Sequence, residues 1–159
     1  MTVRPPAGAD EWRTFERLVR EYLASLPFEV NFQDVDRELS ELEVYYAPPL
    51  ARAFVAWEGA EPLGVVALRP FGDVDGEMKR MFVAPAGRGR GVGRALAVAV
   101  VATGRELGYQ RLLLDTEASM EVAISLYQSL GFVEIGAYRF NPLPGARYFA
   151  LDLEHLPEK

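Results

Sequence analysis

Arg88-Gly89-Arg90-Gly91-Val92-Gly93 sets three glycines at alternate positions among basic residues, a pattern suited to holding an anion. Glycine lets the backbone turn tightly and approach a ligand with no Cβ in the way, which exposes amide hydrogens. A helix following such a loop adds unpaired N–H groups and the positive end of its dipole, so a diphosphate would meet several donors aimed at one point. Arg88, Arg90 and Arg94 add charge. The plain alternative is a glycine-rich turn before a helix that binds nothing, a common feature.

Spacing separates the ligands such a loop could take. A dinucleotide is the first rival, because a strand precedes the loop and Asp115 ends the next strand, where a ribose-binding acid could sit. The nicotinamide fingerprint needs G-x-G-x-x-G, yet counting from Gly89 the sixth position is Arg94, and from Gly91 it is Leu96, too bulky for close helix–strand packing. A P-loop fails as well, since no Gly-Lys-Ser or Gly-Lys-Thr follows to hold phosphate and magnesium. What remains is a pyrophosphate without a nicotinamide.

Other chemistries are bounded by composition. The chain has no cysteine, so it offers no disulfide, no thiolate metal site and no cysteine nucleophile. No residues have metal-ligand spacing, and the one histidine, His155, stands in the terminal Glu154-His155-Leu156-Pro157, where solvent is expected around it. A formal charge of −6 argues against non-specific nucleic-acid binding, which needs a cationic surface to displace counterions. The N-terminus lacks the apolar run of a secretory signal, and the stretch Ala95 to Ala102 is far shorter than the ~20 residues that span a bilayer. These features predict a cytoplasmic protein with no membrane partner. The length, 159 residues, predicts one domain over 1–159 with a sizeable core.

The elements that must position the loop follow from periodicity. Thr2 to Arg4 reads as a short strand, and Asp10 to Leu26 as a helix with Trp12, Phe15, Leu18, Val19, Tyr22 and Leu26 on one face. A second helix is expected from Asp34 to Leu42, ended by Ala47-Pro48-Pro49. Ala53–Trp57 and Leu63–Leu68 form a hairpin through Glu58-Gly59-Ala60-Glu61-Pro62, and a further strand covers Glu77 to Val83. Gly91 to Leu107 is apolar around most of its circumference, which predicts a helix buried on both sides, stopped at Gly108. Arg111 to Asp115, Phe132 to Ile135 and Tyr148 to Leu153 complete the strands, with a helix from Ser119 to Leu130 ended by Gly131. The order is α/β with hairpins rather than strict βαβ alternation.

With the loop as Arg88-x-x-Gly91-x-Gly93, the chain resembles the GNAT superfamily of N-acetyltransferases, whose cofactor loop reads Q/R-x-x-G-x-G/A. Two further anchors flank it at the right spacing: Glu77-Met78-Lys79-Arg80-Met81-Phe82-Val83-Ala84-Pro85 before it, and Leu126-Tyr127-x-x-Leu130-Gly131-Phe132 after it. Bacterial members of unassigned substrate look closer still, sharing Glu77-Met78-Lys79-Arg80, Leu114-Asp115-Thr116 and Asn141-Pro142. The resemblance implies a mixed, mostly antiparallel sheet, splayed at two parallel strands and flanked by about four helices. It also implies acetyl-CoA as co-substrate, its pantetheine pairing with the backbone of Met81, Phe82 and Val83 and its pyrophosphate held by Arg88, Gly89, Arg90, Gly91, Val92, Gly93 and Arg94. Backbone donors in that gap could polarise the thioester oxygen. Ala123, Leu126 and Tyr127 keep the pattern N-x-x-A-x-x-L-Y, but Met120 stands where many members carry asparagine.

Acetyl transfer to an amine requires the nitrogen deprotonated and the departing thiolate protonated. By the resemblance Tyr127 is the acid and Glu77 the base. Each has an ordinary alternative: Tyr127 as a core aromatic, and Glu77 as a strand carboxylate paired with Lys79, or with Arg80 if a bulge shifts the parity. Asp115 and Thr116 could touch the acceptor or cap the next turn. Tyr138, Asn141 and Pro142 lie where this fold commonly closes over the acceptor. The expectation is direct transfer to a primary amine in a ternary complex, by a monomer or homodimer without a metal. Its rivals are a non-catalytic acyl-CoA-binding module and a regulatory partner-binding domain.

Overall fold

The computed structural model describes residues 1–26, 32–141, 143 and 145–153, so the sequence-level expectations for Pro142 and His155 lie outside the described residues. Seven strands form one sheet: β1 (Thr2–Arg4), β2 (Arg52–Glu58), β3 (Glu61–Phe71), β4 (Asp75–Val83), β5 (Arg111–Glu117), β6 (Val133–Ile135) and β7 (Ala146–Asp152). Their spatial order is β1-β2-β3-β4-β5-β7-β6. Every neighbouring pair is antiparallel except β4 and β5. The helices are α1 (Gly8–Ser25), α2 (Phe32–Ser40), α3 (Leu42–Tyr45), α4 (Val92–Glu106) and α5 (Glu121–Ser129).

Period-two alternation explains why the sheet carries helices on both faces. On β2 and β3, Phe54, Ala56, Val66 and Leu68 join the cluster under α4 and α5, while Val55, Trp57, Val65 and Ala67 join the cluster under α1 to α3. Neighbouring side chains point to opposite faces, so a strand covered on both sides reads as an unbroken apolar run.

Two expectations change. The single helix expected over Asp34 to Leu42 is divided at Glu41, whose backbone (φ −136°, ψ 37°) leaves the helical region, and the one-turn α3 follows, giving five helices instead of about four. The second concerns α4, which is not buried on both sides. Its stripe Val92, Leu96, Ala97, Val100, Val101 and Gly104 packs inward, while Val98 is 50% exposed. The helix lies on the outer face of the sheet, and alanine and valine on its far side need no cover.

The packing of α4 onto the sheet depends on Gly64. A Cβ there would lie 2.7 Å from the Phe82 carbonyl oxygen, 3.0 Å from Leu96 Cδ1 and 3.1 Å from Val92 Cγ1. Gly64→Ala is therefore expected to destabilise the protein by about 1–3 kcal/mol, the usual cost of overpacking. Urea unfolding checks this: the midpoint should fall with the slope unchanged, and an unchanged midpoint would refute the tight contact.

Candidate functional site

The site begins where β4 and β5 part. Their pairing is confined to Gly76 with Leu112 and Glu77 with Leu113, although β4 runs on to Val83 and β5 to Glu117. Just past Glu77, β4 carries a bulge: Lys79 pairs with Ala67 and Phe82 with Val65, so Arg80 and Met81 both stand opposite Val66. Arg80 takes φ +61°, a left-handed conformation that costs a non-glycine residue energy and has to be held in place by its surroundings. Its guanidinium is held by Glu38 of α2, with Nε to Oε2 at 2.9 Å and Nη2 to Oε1 at 2.7 Å, and Tyr46 donates to Glu38 Oε2 at 2.7 Å. Burial would raise the Glu38 pKa, but Arg80 outweighs it and the carboxyl stays below its ordinary value.

At the far end of β4 the chain makes a 3-10 turn (Pro85–Gly87) and enters the glycine loop. Gly89 and Gly91 adopt φ +75° and +76°, and Gly91 is the N-cap of α4. No side chain caps this end, so the first-turn N–H groups, which have no acceptor within the helix, face outward. A Cβ at Gly89 or Gly91 would meet nothing within 4 Å, so those glycines serve backbone conformation, whereas a Cβ at Gly93 would lie 3.3 Å from Leu126 Cδ2, so that glycine serves close helix packing. The three arginines are exposed and lightly tied: Arg88 to the Val83 carbonyl, Arg90 to Glu58 and the Ala86 carbonyl, Arg94 to Ser129 Oγ.

A pocket of about 440 Å³ opens between the diverging strands. Met81, Asp115, Ala123, Tyr127 and Asn141, all expected at the site, line it together. Val83 and the loop from Arg88 to Arg94 lie outside its lining, and Phe82 packs into the cluster under α1. Tyr127 is 5% exposed, with its ring against Phe132. Its hydroxyl makes no hydrogen bond with the described residues, and burial raises its pKa, so it stays protonated. Met120 lines the pocket and caps α5 without any side-chain hydrogen bond, so the polar contact that asparagine would supply is missing.

Glu77 differs most from expectation. It is fully buried and pairs with neither Lys79 nor Arg80. Arg69 Nε donates to its Oε1 at 3.1 Å, and the Tyr138 hydroxyl (2.7 Å) and Arg139 Nη1 (3.0 Å) donate to its Oε2. The bulge sends Arg80 to Glu38, and the β3–β4 register brings Arg69 opposite Glu77. Burial would raise the Glu77 pKa, but Lys79, the Tyr138 hydroxyl, Arg139 and Arg69 together hold it below its ordinary value. Tyr138 also stacks edge-on with Phe71 and Tyr148, which fixes its ring. Its own pKa is raised, chiefly by burial and then by Glu77.

A depressed folded-state pKa stabilises the fold above the unfolded carboxyl pKa and loses that contribution as pH falls through the folded value. Glu77→Gln should therefore cost roughly 3 kcal/mol at pH 7, the order expected when one partner of a buried ion cluster is removed. The gap from the parent protein should narrow below pH ~4. Urea titrations of both proteins at pH 7 and pH 3 check it; a gap that is constant with pH would remove the ionic role.

Asp115 and Thr116 line the pocket rather than capping the turn after β5, a task taken by Glu117, which accepts from the Ser119 amide at 3.0 Å. Asn141 Nδ2 donates to Asp115 Oδ2 at 3.1 Å, and Asp115 Oδ1 has no hydrogen bond among the described residues. Lys79, named from the sequence only as a possible partner of Glu77, also lines the pocket. Burial, then Arg80, Arg69 and Arg139, push its pKa down to about 8 against the pull of Glu77. Sequence reasoning missed Arg69 and Arg139. Hairpin register from Phe71–Asp75 outward would have found Arg69 opposite Glu77, whereas Arg139 comes from an irregular loop with no periodic signal. Among the described residues no group of three or more histidine, cysteine or carboxylate side chains could hold a metal, and no helix is long and apolar enough to cross a membrane.

Comparison with known proteins agrees with this geometry. The family model described as Acetyltransferase (GNAT) family matches residues 15–132. An uncharacterised N-acetyltransferase of Schizosaccharomyces pombe is 37% identical over 153 residues, covering 95% of this chain and 92% of the relative. Among solved structures, an acetyltransferase from Streptococcus agalactiae superposes with a TM-score of 0.80 at 20% identity, covering 96% of this chain and 98% of that one. The structure of yncA from Salmonella typhimurium with its cofactor acetyl-CoA gives a TM-score of 0.76 at 19% identity, covering 99% and 96%. At such identities the two structures show a shared fold.

Proposed function

Because the chain belongs to the acetyltransferase (GNAT) family and is an acyltransferase, we propose that it transfers the acetyl group of acetyl-CoA directly to a primary amine held in the same pocket. The observation that carries this reading is the parting of β4 and β5 after two paired residues, beside an uncapped α4 N-terminus and an unpartnered Tyr127 hydroxyl. The acetyl-CoA held by the Salmonella typhimurium fold relative supports the choice of donor.

The residues present fit that donor. The backbone of Met81, Phe82 and Val83 lies on the part of β4 that has left β5, where no strand pairing with β5 competes with pantetheine amides, although the Val83 carbonyl accepts from Arg88. The N–H groups at the start of α4, helped by Arg88, Arg90 and Arg94, suit a pyrophosphate, since fixed dipoles and cations favour a diphosphate without reorganisation. Bound there, acetyl-CoA would supply an activated thioester carbonyl. Tyr127, kept protonated by burial, delivers the hydroxyl proton that the departing sulfur needs.

On the amine side, Glu77 is committed to Arg69, Arg139 and Tyr138, so its part is to position them. Asp115 Oδ1 is the pocket carboxylate oxygen without a hydrogen bond among the described residues; it receives the acceptor's ammonium and passes one proton to solvent, while the second proton, lost from nitrogen as the amide forms, replaces the one Tyr127 gives to sulfur. With no cysteine in the chain, transfer proceeds without an acyl-cysteine stage.

Thermal denaturation with and without acetyl-CoA, followed by thiol release on amine, amino-acid and peptide pools, tests the proposal. Saturating acetyl-CoA at about 100 times Kd should stabilise the fold by about 2.7 kcal/mol, and thiol release should match acetylated product one to one. Absence of any shift would reject the donor, binding without transfer to any pool would reject the reaction, and an acetylated protein intermediate would reject direct transfer.

A further inference from the structure

The charges of the pocket do not follow the charge of the chain. The protein carries −6, yet Arg69, Lys79, Arg80 and Arg139 line this pocket, facing the carboxylates of Glu38 and Asp115 with Glu77 behind them. Arg80 and Glu38 form a closed, two-bonded pair whose charges cancel. Arg69 and Arg139 each spend one nitrogen on Glu77, and their other N–H groups have no hydrogen-bond partner among the described residues. Lys79 has no hydrogen bond or ion pair among them at all. Four cations against three carboxylates leave a surplus of one positive charge, concentrated on the β3–β4 side, while Asp115 stands on β5 across the gap.

Resting on the acetyl-transfer reading above, we propose that the acceptor is a free amino acid, its carboxylate received by Lys79, Arg69 and Arg139 and its amine turned toward Asp115. The dipolar wall complements a zwitterion: cations from β3, β4 and the loop that carries Arg139, and a carboxylate on β5. Once the ammonium has lost its proton the amino acid carries a single negative charge, which matches the single surplus cation. A phosphate dianion would leave the pocket with excess negative charge, and a polyamine would be repelled by it. The guanidinium fork, with spare N–H groups in one plane, is the donor geometry that a carboxylate accepts from. The depressed pKa of Lys79 points the same way: after burial its largest cause is Arg80, and Arg69 and Arg139 add to it against the pull of Glu77, a positive field that an incoming anion relieves.

The test compares kcat/KM for acetyl transfer to alanine, aspartate and glutamate with that for alaninamide, butylamine, spermidine and phosphoethanolamine, in the parent protein and in Lys79→Met. A free amino acid should exceed its own amide by at least about tenfold. Lys79→Met should lower kcat/KM for that amino acid by about tenfold, through KM rather than kcat, and leave the amide within about threefold. Since Lys79 sits among like charges, removing its charge should not lower the melting temperature, which is measured alongside. Equal or faster transfer to the amide, the polyamine or phosphoethanolamine overturns the assignment while leaving acetyl transfer intact. An equal loss on acid and amide in Lys79→Met overturns the carboxylate contact. Failure of every amine in the presence of bound acetyl-CoA, seen by thermal shift, overturns the parent reading and this one with it.

Discussion

In Tyr127→Phe, kcat for acetyl transfer is expected to fall by about 100-fold, in the range that general acid catalysis contributes, while the Kd for acetyl-CoA stays within about threefold. The Tyr127 ring fills a place against Phe132 on α5, and a phenylalanine ring would fill the same place. The hydroxyl is what differs: it is bonded to none of the described residues, belongs to a residue that lines the pocket, and is held in its protonated form by burial. A packing role would make the substitution silent, or stabilising, because a hydroxyl without a partner is costly in an apolar surrounding. Steady-state rates at saturating acetyl-CoA, with Kd by calorimetry, separate the two. A normal kcat would remove Tyr127 from the chemistry; a large rise in Kd with normal kcat would make it a binding residue.

Gly91→Val should show the opposite pattern. The Kd for acetyl-CoA should rise by at least about tenfold, corresponding to a cost of 1.4 kcal/mol or more, with kcat at saturation within about threefold of the parent. Gly91 sits at φ +76° as the N-cap of α4, and a β-branched residue there is strained by about 1–2 kcal/mol or more. Nothing lies within 4 Å of a Cβ at that position, so the strain is relieved by rotation of the loop and not by a collision in the core. That rotation turns the first-turn N–H groups of α4 away from the point where they converge. Calorimetric titration of acetyl-CoA measures the loss, and an unchanged Kd would show that the loop does not hold the diphosphate. The pair of variants places donor binding and proton delivery on different residues and makes each assignment refutable by the other's phenotype.

Much of the fold was legible because its signals are local. The hairpin over Ala53–Leu68, the strand Glu77 to Val83 and the helix stops at Gly108 and Gly131 were all read from period and punctuation, and each sits within a few residues of its place in the structure. The glycine loop was legible for the same reason, since φ > 0 at Gly89 and Gly91 is a backbone demand that only a few residue types meet cheaply. Misreadings arose where burial or partners are set by distant segments. The apolar circumference of α4 implied two buried sides, but only contact with the sheet decides which side is covered. For Glu77, read as a candidate base with a pair to Lys79 or Arg80 as the alternative, it is the alternative's partners that differ: they are Arg69, eight residues away across a hairpin, and Tyr138 and Arg139, more than sixty away in a loop.

The sequence by itself determined the elements proposed for the donor side: the glycine loop, the helix that follows it and the strand that precedes it are contiguous, and their local signals place all three. Only the tertiary structure decided the acceptor side. The bulge at Arg80 and the hairpin register re-aim side chains, and the loop from Tyr138 to Asn141 folds back over β4 and β5, so that an acidic chain presents a cationic wall. The backbone amides proposed to bind a diphosphate lie next to one another in the chain, whereas the side chains proposed to choose an acceptor are brought together from β3, β4, β5 and the loop before β7, and no local pattern records their meeting.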